Sequence, residues 1–369
     1  MKILVTGARG FIGKNLIAHL KNKGPHQIFE FGREDDESIL EKYTRECDFI
    51  FHLAGVNRPN DVNEFIEGNS DFTIRLINFL KSHNNKAPIL FTSSIQAEID
   101  SPYGWSKKAG EDSLFNYSKE TGAKVLVYRL PNVFGKWCKP NYNSVVATFC
   151  HNIARNMDIQ INDPNTELTL CYIDDVLTEF LRALDGKETR NGDFGCVSVT
   201  HKIKLGELAS KIYAYSQNRK TLVMPPLETR FDKALYGTFL SYLEEDDFSY
   251  KLKKNVDNRG WLSEFIKSDS MGQIFISKTK PGVTRGNHWH HTKVEKFLVI
   301  QGIAVIKFRN LYSDKILQYI VSGKEPEVVD IPAGYTHSIT NTGDEDVITL
   351  FWASEIFDPE KPDTYFLEV

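Results

Sequence analysis

The sequence predicts two folds in one chain: a doubly wound α/β parallel sheet, followed by an all-β domain. Three observations support this prediction. In the first half, apolar runs of strand length alternate with helix-like stretches, and a glycine-rich turn follows the first run. After residue 245, short apolar runs with turn signals replace that alternation. We therefore predict one domain over residues 1–245 and a second over residues 246–369.

The first domain begins on an apolar run and alternates from there. Short, continuously apolar runs predict buried strands at Ile3–Val5, Gln27–Phe31, Phe49–Leu53, Ile89–Thr92 and Lys124–Leu130. Helix-like stretches are found at Phe11–Leu20, Ile66–Ser82 and Lys107–Thr121. Such alternation is typical of a parallel sheet with helices on both faces.

The charged stretch Glu244–Asp247 separates the two patterns. Strand-like runs beyond it are Gly272–Lys278, Glu295–Ile300, Gly302–Phe308, Leu317–Val321 and Val347–Trp352. Because helical periodicity is nearly absent here, we predict an antiparallel β-sandwich or small barrel.

Composition narrows the class of partner. Lys plus Arg total 45 and Asp plus Glu total 49, which gives a net charge of −4 and argues against nucleic acid or an anionic membrane. The five cysteines are odd in number and lack CxxC spacing, which favours a reducing compartment. No apolar run is long enough to span a bilayer, and we expect a cytoplasmic enzyme.

A dinucleotide-binding loop is predicted directly after the first strand. Gly7 would make the tight turn, Gly10 would let the backbone approach a pyrophosphate, and Gly13 would allow close helix packing. The other expected cofactor contacts near this loop are Phe11, Ile12, Leu53 and Ala54.

The end of the second predicted strand indicates which dinucleotide binds. An NAD site usually has an acidic residue there, but in this chain that position falls near Gly32 and is followed by Arg33. With Arg9 in the glycine loop, two guanidinium groups would suit a 2′-phosphate, so NADPH is the favoured cofactor. The alternative is that Glu30 serves as the acid and Arg33 is a solvated loop residue.

A candidate catalytic set lies on the next strand and helix. Ser94 ends the fourth predicted strand, and Tyr103 and Lys107 stand four apart, on one face of a helix. A nearby ammonium is expected to lower the pKa of the phenol, which then exchanges a proton with an alcohol or ketone oxygen. The serine hydroxyl would polarise the same oxygen.

With these motifs, residues 1 to about 243 resemble the extended short-chain dehydrogenase/reductase family that acts on nucleotide sugars and has a Rossmann-like fold. Three further segments match: Asp48–Gly55, Arg129–Gly135 and Tyr172–Val176. The resemblance implies that Asn132 contacts the sugar nucleotide and that His52 is structural. Ser94-Ile95-Gln96 stands where family dehydratases carry Thr-Asp-Glu, which favours reduction over dehydration.

A candidate metal site lies in the second domain. His288 and His290 are two apart on a predicted strand and so share one face, and Glu295 and His337 would come from neighbouring strands. Three histidines and one carboxylate suit Zn, Mn, Fe or Ni, with Zn the first choice. His291 alternates with His290 and is expected to face outward.

This segment resembles both cupin motifs, which implies a jelly-roll fold, although Pro326 replaces the leading glycine of the second motif. Asp257–Glu264 and Arg285–His288 also resemble the nucleotide-sugar 3,5-epimerase branch of cupins. That resemblance implies that Arg285 binds phosphate and that His288 is a base beside a 4-ketone. His288 is therefore either a metal ligand or the general base, and a cupin without metal is the alternative.

Over its whole length the chain resembles bifunctional capsule enzymes that fuse such a reductase to a cupin. The resemblance implies C3 epimerisation of a UDP-2-acetamido-2,6-dideoxy-4-ketohexose, NADPH-dependent reduction of its C4 ketone, and a homodimer. One alternative is a simple 4-ketoreductase with a structural cupin. A redox-sensing regulator is less favoured, because Tyr103 and Lys107 are both intact.

Overall fold

The chain forms two compact units in a computed structural model that describes residues 1–59 and 61–369. The first unit comprises Met1–Tyr213 and Leu227–Glu244, and the second comprises Ala214–Pro226 and Glu245–Val369. Val223, which lies in the short segment Ala214–Pro226, forms a β-bridge with Lys267. This bridge joins the segment to the rest of the second unit. The functional division into residues 1–245 and 246–369 stays a prediction.

The first unit contains the α/β alternation that the sequence predicts. Its strands are β1 (Lys2–Thr6), β2 (Gln27–Phe31), β3 (Phe49–His52), β4 (Ile89–Ser94), β5 (Val125–Leu130), β6 (Asn132–Phe134), β7 (Glu167–Tyr172), β8 (Arg190–Asn191), β9 (Phe194–Gly195) and β10 (His201–Lys204). Its helices are α1 (Phe11–Lys23), α2 (Glu37–Glu46), α3 (Asn63–Phe65), α4 (Phe72–Ser82), α5 (Pro102–Thr121), α6 (Val145–Ala154), α7 (Ile173–Leu184), α8 (Leu205–Thr221, which continues into the second unit) and α9 (Arg230–Leu240). A π-helical turn, Ile66–Asp71, joins α3 to α4, and a 3₁₀ turn, Ile95–Glu98, precedes α5.

The main sheet is doubly wound. Its strand order is β2-β1-β3-β4-β5-β9-β8, and β1 to β5 and β9 run parallel. From β1 the chain winds out to β2 and then returns to β3 on the other side of β1. The loops after β1 and β3 therefore flank a crevice at the carboxyl edge of the sheet, where such folds bind ligands. A smaller sheet has the order β10-β7-β6.

Helices bury an apolar core on each face of this sheet. On one face Leu16 of α1 and Phe180 of α7 pack with the strands. On the other face Leu40 of α2, Leu76 of α4 and Leu114 of α5 do the same. The prediction of a doubly wound parallel sheet is therefore confirmed.

The second unit is a two-sheet antiparallel sandwich. Its strands are β11 (Asn255–Asp257), β12 (Gly260–Ser268), β13 (Gly272–Thr279), β14 (Thr284–Trp289), β15 (Glu295–Gln301), β16 (Ile303–Asn310), β17 (Ile316–Ser322), β18 (Val328–Ile331), β19 (Tyr335–Asn341), β20 (Val347–Ala353) and β21 (Tyr365–Phe366). One sheet has the order β11-β12-β13-β20-β15-β18 and the other β17-β16-β19-β14-β21. Phe297 and Phe351 of the first sheet pack with Ile306 and Ile339 of the second, as a cupin-like β domain requires.

Two general expectations can be compared with the fold. All five cysteines are free thiols, and the reducing compartment stays a prediction. Within the described residues no helix combines the length and apolarity needed to cross a membrane.

Candidate functional site

The glycine loop after β1 is tightly constrained. Gly7 has φ of +70°, and a Cβ there would stand 2.7 Å from the backbone nitrogen of Ala54. A Cβ on Gly13 would lie 2.3 Å from the carbonyl oxygen of Gly7. Helix α1 starts at Phe11 without a side-chain cap on Gly10, so its first amides are free to meet a phosphate. Gly7 and Gly13 therefore stand where the chain packs closely, as their spacing predicts, and the pyrophosphate contact of Gly10 stays a prediction.

Two clefts open at this edge of the sheet. One, of about 850 Å³, is lined by predicted residues: Gly7, Arg9, Gly10, Phe11, Ile12, Gly13, Leu53, Ser94, Tyr103, Lys107 and Asn132. The other, of about 660 Å³, is lined by the predicted residues Arg33 and Ala54 and again by Arg9. The two clefts share Gly7, Arg9, Gly10 and Gly55 in their walls, so an extended dinucleotide could occupy both.

The second cleft presents three guanidinium groups, each beside a carboxylate. Arg9 donates to Asp35 at 2.7 Å, Arg33 lies 3.6 Å from Glu64, and Arg75 lies 3.2 Å from Glu37. Asp35 also accepts the Gly32 amide at 2.7 Å. Glu30, the alternative ribose-binding acid, is exposed and pairs with Lys21. Arg75 and Asp35 were not singled out in the sequence.

Tyr103 lies in the first turn of α5, where Pro102 begins the helix and the Ser101 hydroxyl caps it by accepting the Gly104 amide at 3.1 Å. Burial raises the pKa of Tyr103, while a hydrogen bond with Ser94 opposes the rise. The net shift of this pKa is therefore upward, not downward as expected, because burial is its largest cause. A protonated phenol is the form that donates a proton.

Lys107 is buried one helical turn beyond Tyr103. Its ammonium donates to the Thr92 carbonyl at 3.2 Å and sits 5.3 Å from the centre of the Phe91 ring. Burial lowers the pKa of Lys107 to about 8, against the opposing charge of Glu111. Its protonation state therefore changes close to neutral pH.

The buried Glu111 and the half-buried Arg129 form a supporting ion pair that sequence reasoning missed. Arg129 donates to Glu111 through Nε at 2.8 Å and through a terminal nitrogen at 2.6 Å. Glu111 also accepts the Ser93 hydroxyl at 2.6 Å. This network ties α5 to the ends of β4 and β5, and so holds Ser94 and Lys107 in place. The sequence did offer one signal for this network, because Glu111 stands one helical turn after Lys107.

His52 fits the structural role expected of it. The ring is fully buried, with Nδ1 2.8 Å from the Thr6 hydroxyl and Nε2 2.9 Å from the Thr73 hydroxyl. Burial lowers its pKa to about 3, so the ring is neutral.

The loop after β6 also lines the larger cleft and had no predicted role. Trp137 and Asn141 both have positive φ, at 68° and 53°. The loop is fastened by the Tyr242 hydroxyl, which donates to the Cys138 carbonyl at 2.6 Å, and by Asn15, which donates to Lys136 at 3.1 Å. Residue spacing could not predict that this loop lines the cleft, because hydrogen bonds between residues far apart in the chain hold the loop there.

In the second unit, the four predicted ligands converge. One ligand atom each from His288, His290, Glu295 and His337 lies within 4.8 Å of the others. His288 and His337 are register partners on β14 and β19. Glu295 comes from β15 in the facing sheet, not from a strand adjacent to β14 as expected, so the cluster joins the two sheets. His291 is exposed, as predicted.

The donor set fits a metal ion. In the described part of the chain, Nε2 of His290, Nε2 of His337 and Oε2 of Glu295 are buried and have no hydrogen-bond partner. The glutamate oxygen lies 3.5 Å and 3.4 Å from these two nitrogens. Such buried lone pairs are costly unless something binds them. Histidine and carboxylate donors of this kind suit a divalent transition metal.

Two ligands of this cluster, His288 and Glu295, are held in the forms that bind a metal. Burial, aided by His337, lowers the pKa of His288 to about 4, so its ring is neutral at pH 7. Burial opposes ionisation of Glu295, but the nearby rings of His290 and His337 outweigh it and hold the pKa of Glu295 well below its usual range. Neutral imidazoles and an ionised carboxylate are the metal-binding forms.

Arg285, the predicted phosphate contact, precedes this cluster on β14. Its Nε donates to the Thr279 hydroxyl at 3.0 Å, and a terminal nitrogen donates to the Lys278 carbonyl at 3.3 Å. Asp257 lies 3.6 Å away. Its phosphate-binding role stays a prediction.

The fold and the two sites define a class: an α/β dinucleotide-binding unit joined to an antiparallel β unit with a candidate metal cluster. The chain belongs to the NAD dependent epimerase/dehydratase family, which matches residues 3–194. Residues 255–365 match the polysaccharide biosynthesis C-terminal domain.

Full-length relatives extend this assignment. The chain is 47% identical over 369 residues to a UDP-2-acetamido-2,6-beta-L-arabino-hexul-4-ose reductase of Pseudomonas aeruginosa, covering 100% of this chain and 99% of the relative. It is similar to the capsular polysaccharide assembling protein CapF of Staphylococcus aureus, with 52% identity, a TM-score of 0.95 and full coverage of both chains. CapF with the inhibitor 3-isopropenyl-tropolone matches at 47% identity and a TM-score of 0.90, again over both full chains. The predicted resemblance to two-domain capsular polysaccharide proteins is confirmed.

Proposed function

We propose that the protein is a bifunctional nucleotide-sugar enzyme of capsular polysaccharide biosynthesis. It epimerises C3 of a UDP-2-acetamido-2,6-dideoxy-4-ketohexose in the second unit. It then reduces the C4 ketone in the first unit, giving UDP-2-acetamido-2,6-dideoxy-L-talose. The observation that carries this proposal is that both predicted clusters are assembled in a chain similar over its full length to a UDP-sugar hexulose reductase.

In the first unit, chain residues would prepare the ketone for reduction. A bound nicotinamide cofactor supplies the hydride. Ser94 would donate a hydrogen bond to the ketone oxygen, and Tyr103 would give that oxygen its proton. The raised pKa of Tyr103 keeps the phenol protonated for this step. Lys107 would stabilise the phenolate that remains, and Asn132 would contact the sugar nucleotide.

In the second unit, the 4-ketone acidifies the neighbouring C3–H. His290, Glu295 and His337 would hold a divalent metal, which we propose is Zn, and His288 would be either the fourth ligand or the base that removes the proton. A metal here would supply Lewis-acid polarisation. The neutral ring of His288 is competent for either role, and Arg285 would bind phosphate.

The order of the two reactions follows from their chemistry. Reduction removes the ketone that makes C3–H acidic, so epimerisation comes first and reduction fixes the new configuration. The alternative is a simple nucleotide-sugar 4-ketoreductase whose cupin unit is structural or dimerising.

One experiment separates these two functions. Cofactor oxidation is followed with the UDP-4-ketohexose in D₂O, and the product is read by NMR. Oxidation with deuterium at C3 is expected. Oxidation without deuterium would favour the simple reductase, and deuterium only at C5 would contradict the C3 assignment.

The cofactor is proposed to be NADPH, because Arg9 and Arg33 line the second cleft. Arg33→Ala is expected to lower kcat/KM for NADPH roughly tenfold and to leave NADH unchanged, since a charged hydrogen bond is worth about 1.5–3 kcal/mol. Arg45→Ala, an exposed change on α2, is the control. Equal losses with both cofactors would indicate that Arg33 does not read a 2′-phosphate.

A homodimer and a cytoplasmic location complete the proposal. The edge strand β17 exposes Ile316, Tyr319 and Ile320, with Ile320 74% exposed, and such an apolar edge is a natural self-association surface. Light scattering of Ile320→Lys beside the unsubstituted protein tests the dimer.

A further inference from the structure

A short segment near the end of the chain, Pro362–Leu367, runs beside the metal cluster; we call it the C-terminal strap. None of the four clustered side chains belongs to it. Its Asp363 carboxylate nevertheless accepts the backbone amides of His291 at 2.9 Å, Thr292 at 3.0 Å and Lys293 at 2.9 Å. The Thr292 hydroxyl adds a fourth bond at 3.1 Å. One side chain thus clamps the turn that follows His290.

The same residue contacts His290 through its backbone. The Asp363 carbonyl oxygen lies 2.6 Å from Nδ1 of His290. A carbonyl can only accept, so Nδ1 must carry the proton. In the neutral ring Nε2 then has the lone pair, and Nε2 is the atom that lies 3.5 Å from Glu295. The strap therefore selects the tautomer that a metal requires at this position.

Other contacts hold the strap against the sandwich. Strand β21 pairs with β14 at His288 and Trp289. The Lys293 ammonium donates to the Pro362 carbonyl at 3.0 Å and to the Thr364 hydroxyl at 2.9 Å. Asp363 has φ of +35°, which side-chain-bearing residues rarely adopt, so these contacts rather than backbone preference define its conformation.

We propose that Asp363 is a positioning residue for the metal cluster: its carboxylate clamps the 291–293 turn and so holds its own carbonyl against Nδ1 of His290. The inference rests on the proposed metal site. Groups that orient a ligating histidine in this way typically contribute 10–100-fold to metal affinity.

The test measures zinc affinity of the full-length chain after metal removal, by competition with a chromophoric chelator. Asp363→Ala is expected to weaken binding roughly 10–100-fold. Asp363→Asn should restore part of it, because the amide oxygen still accepts backbone N–H groups but without charge assistance. Asp358→Ala is the matched control: Asp358 is exposed, and its side chain accepts the nearby Glu360 amide at 2.9 Å.

A second readout does not depend on metal. With ¹⁵N-histidine labelling, the metal-free chain should show His290 as the Nδ1–H tautomer, assigned with His290→Gln, and Asp363→Ala should give a tautomer mixture. Unchanged zinc affinity together with an unchanged tautomer in Asp363→Ala would overturn the role of Asp363 but not the metal site. A native chain that binds no zinc would instead overturn the metal site on which it rests.

Discussion

The two units build their sites in opposite ways. In the first unit, loops at the carboxyl edge of a parallel sheet surround open clefts, and glycines bring the backbone close to a ligand. In the second, side chains from two facing sheets meet inside a sandwich, and His290 and His337 are 1% or less exposed. The first site is therefore an accessible cleft surface, whereas the second is a buried cluster of side-chain nitrogen and oxygen atoms.

This difference decides what each site needs. In the first site the buried Lys107 ammonium has a partner in the protein, the Thr92 carbonyl. In the described residues of the second, Nε2 of His290 and of His337 have none. Because buried unpaired polar atoms are costly, the second site depends on its ion more than the first depends on its cofactor. Substitutions should therefore separate the two activities.

The largest expected effect comes from Tyr103→Phe. Without the phenol proton, reduction should fall roughly 10²–10⁴-fold, while deuterium incorporation at C3 continues. Stopped-flow cofactor oxidation and NMR exchange measure the two activities. Tyr312→Phe, at a tyrosine that is 97% exposed, is the control. Parallel loss of both activities would contradict the separation of sites.

The next effect concerns metal removal. His337→Gln should weaken metal binding by more than about 100-fold, since loss of a direct ligand exceeds loss of an orienting group. C3 exchange should stop, and reduction of an already epimerised substrate should continue. Elemental analysis and NMR exchange check this, with the exposed His291→Gln as control. A normal rate of C3 deuterium exchange in metal-free His337→Gln would show that epimerisation does not take place at this metal cluster.

A smaller effect tests the first unit by pH. The pKa of Lys107 is lowered to about 8, so its ammonium loses its proton as pH rises through that value. If the ammonium is the active form, the reduction rate falls above about pH 8, up to about tenfold per pH unit.

The matched variant is Lys107→Arg, whose guanidinium stays charged and should move the fall to higher pH. Lys108→Arg, on the exposed neighbour that pairs with Asp112, should keep the original profile. A flat profile for the unsubstituted protein over this range would show that Lys107 ionisation does not limit reduction.

Much of the fold could be read from local patterns. The run Ile89–Thr92 lies within the observed β4, because burial on both faces leaves a continuous apolar run. The helix-like stretch Phe11–Leu20 lies within α1. By contrast, β12 and β18 were not predicted, since half-buried strands in a sandwich carry a weaker pattern.

What the sequence determined by itself is the chemistry at fixed spacing. Gly7, Gly10 and Gly13, the Tyr103–Lys107 pair and the His288–His290 pair each lie within a few residues of one another, so spacing alone brings them together. Tertiary structure alone decided the rest. It raised rather than lowered the pKa of Tyr103, brought Glu295 in from the opposite sheet, and set Asp363 against His290. These effects depend on burial and on contacts between residues far apart in the chain, which no local pattern encodes.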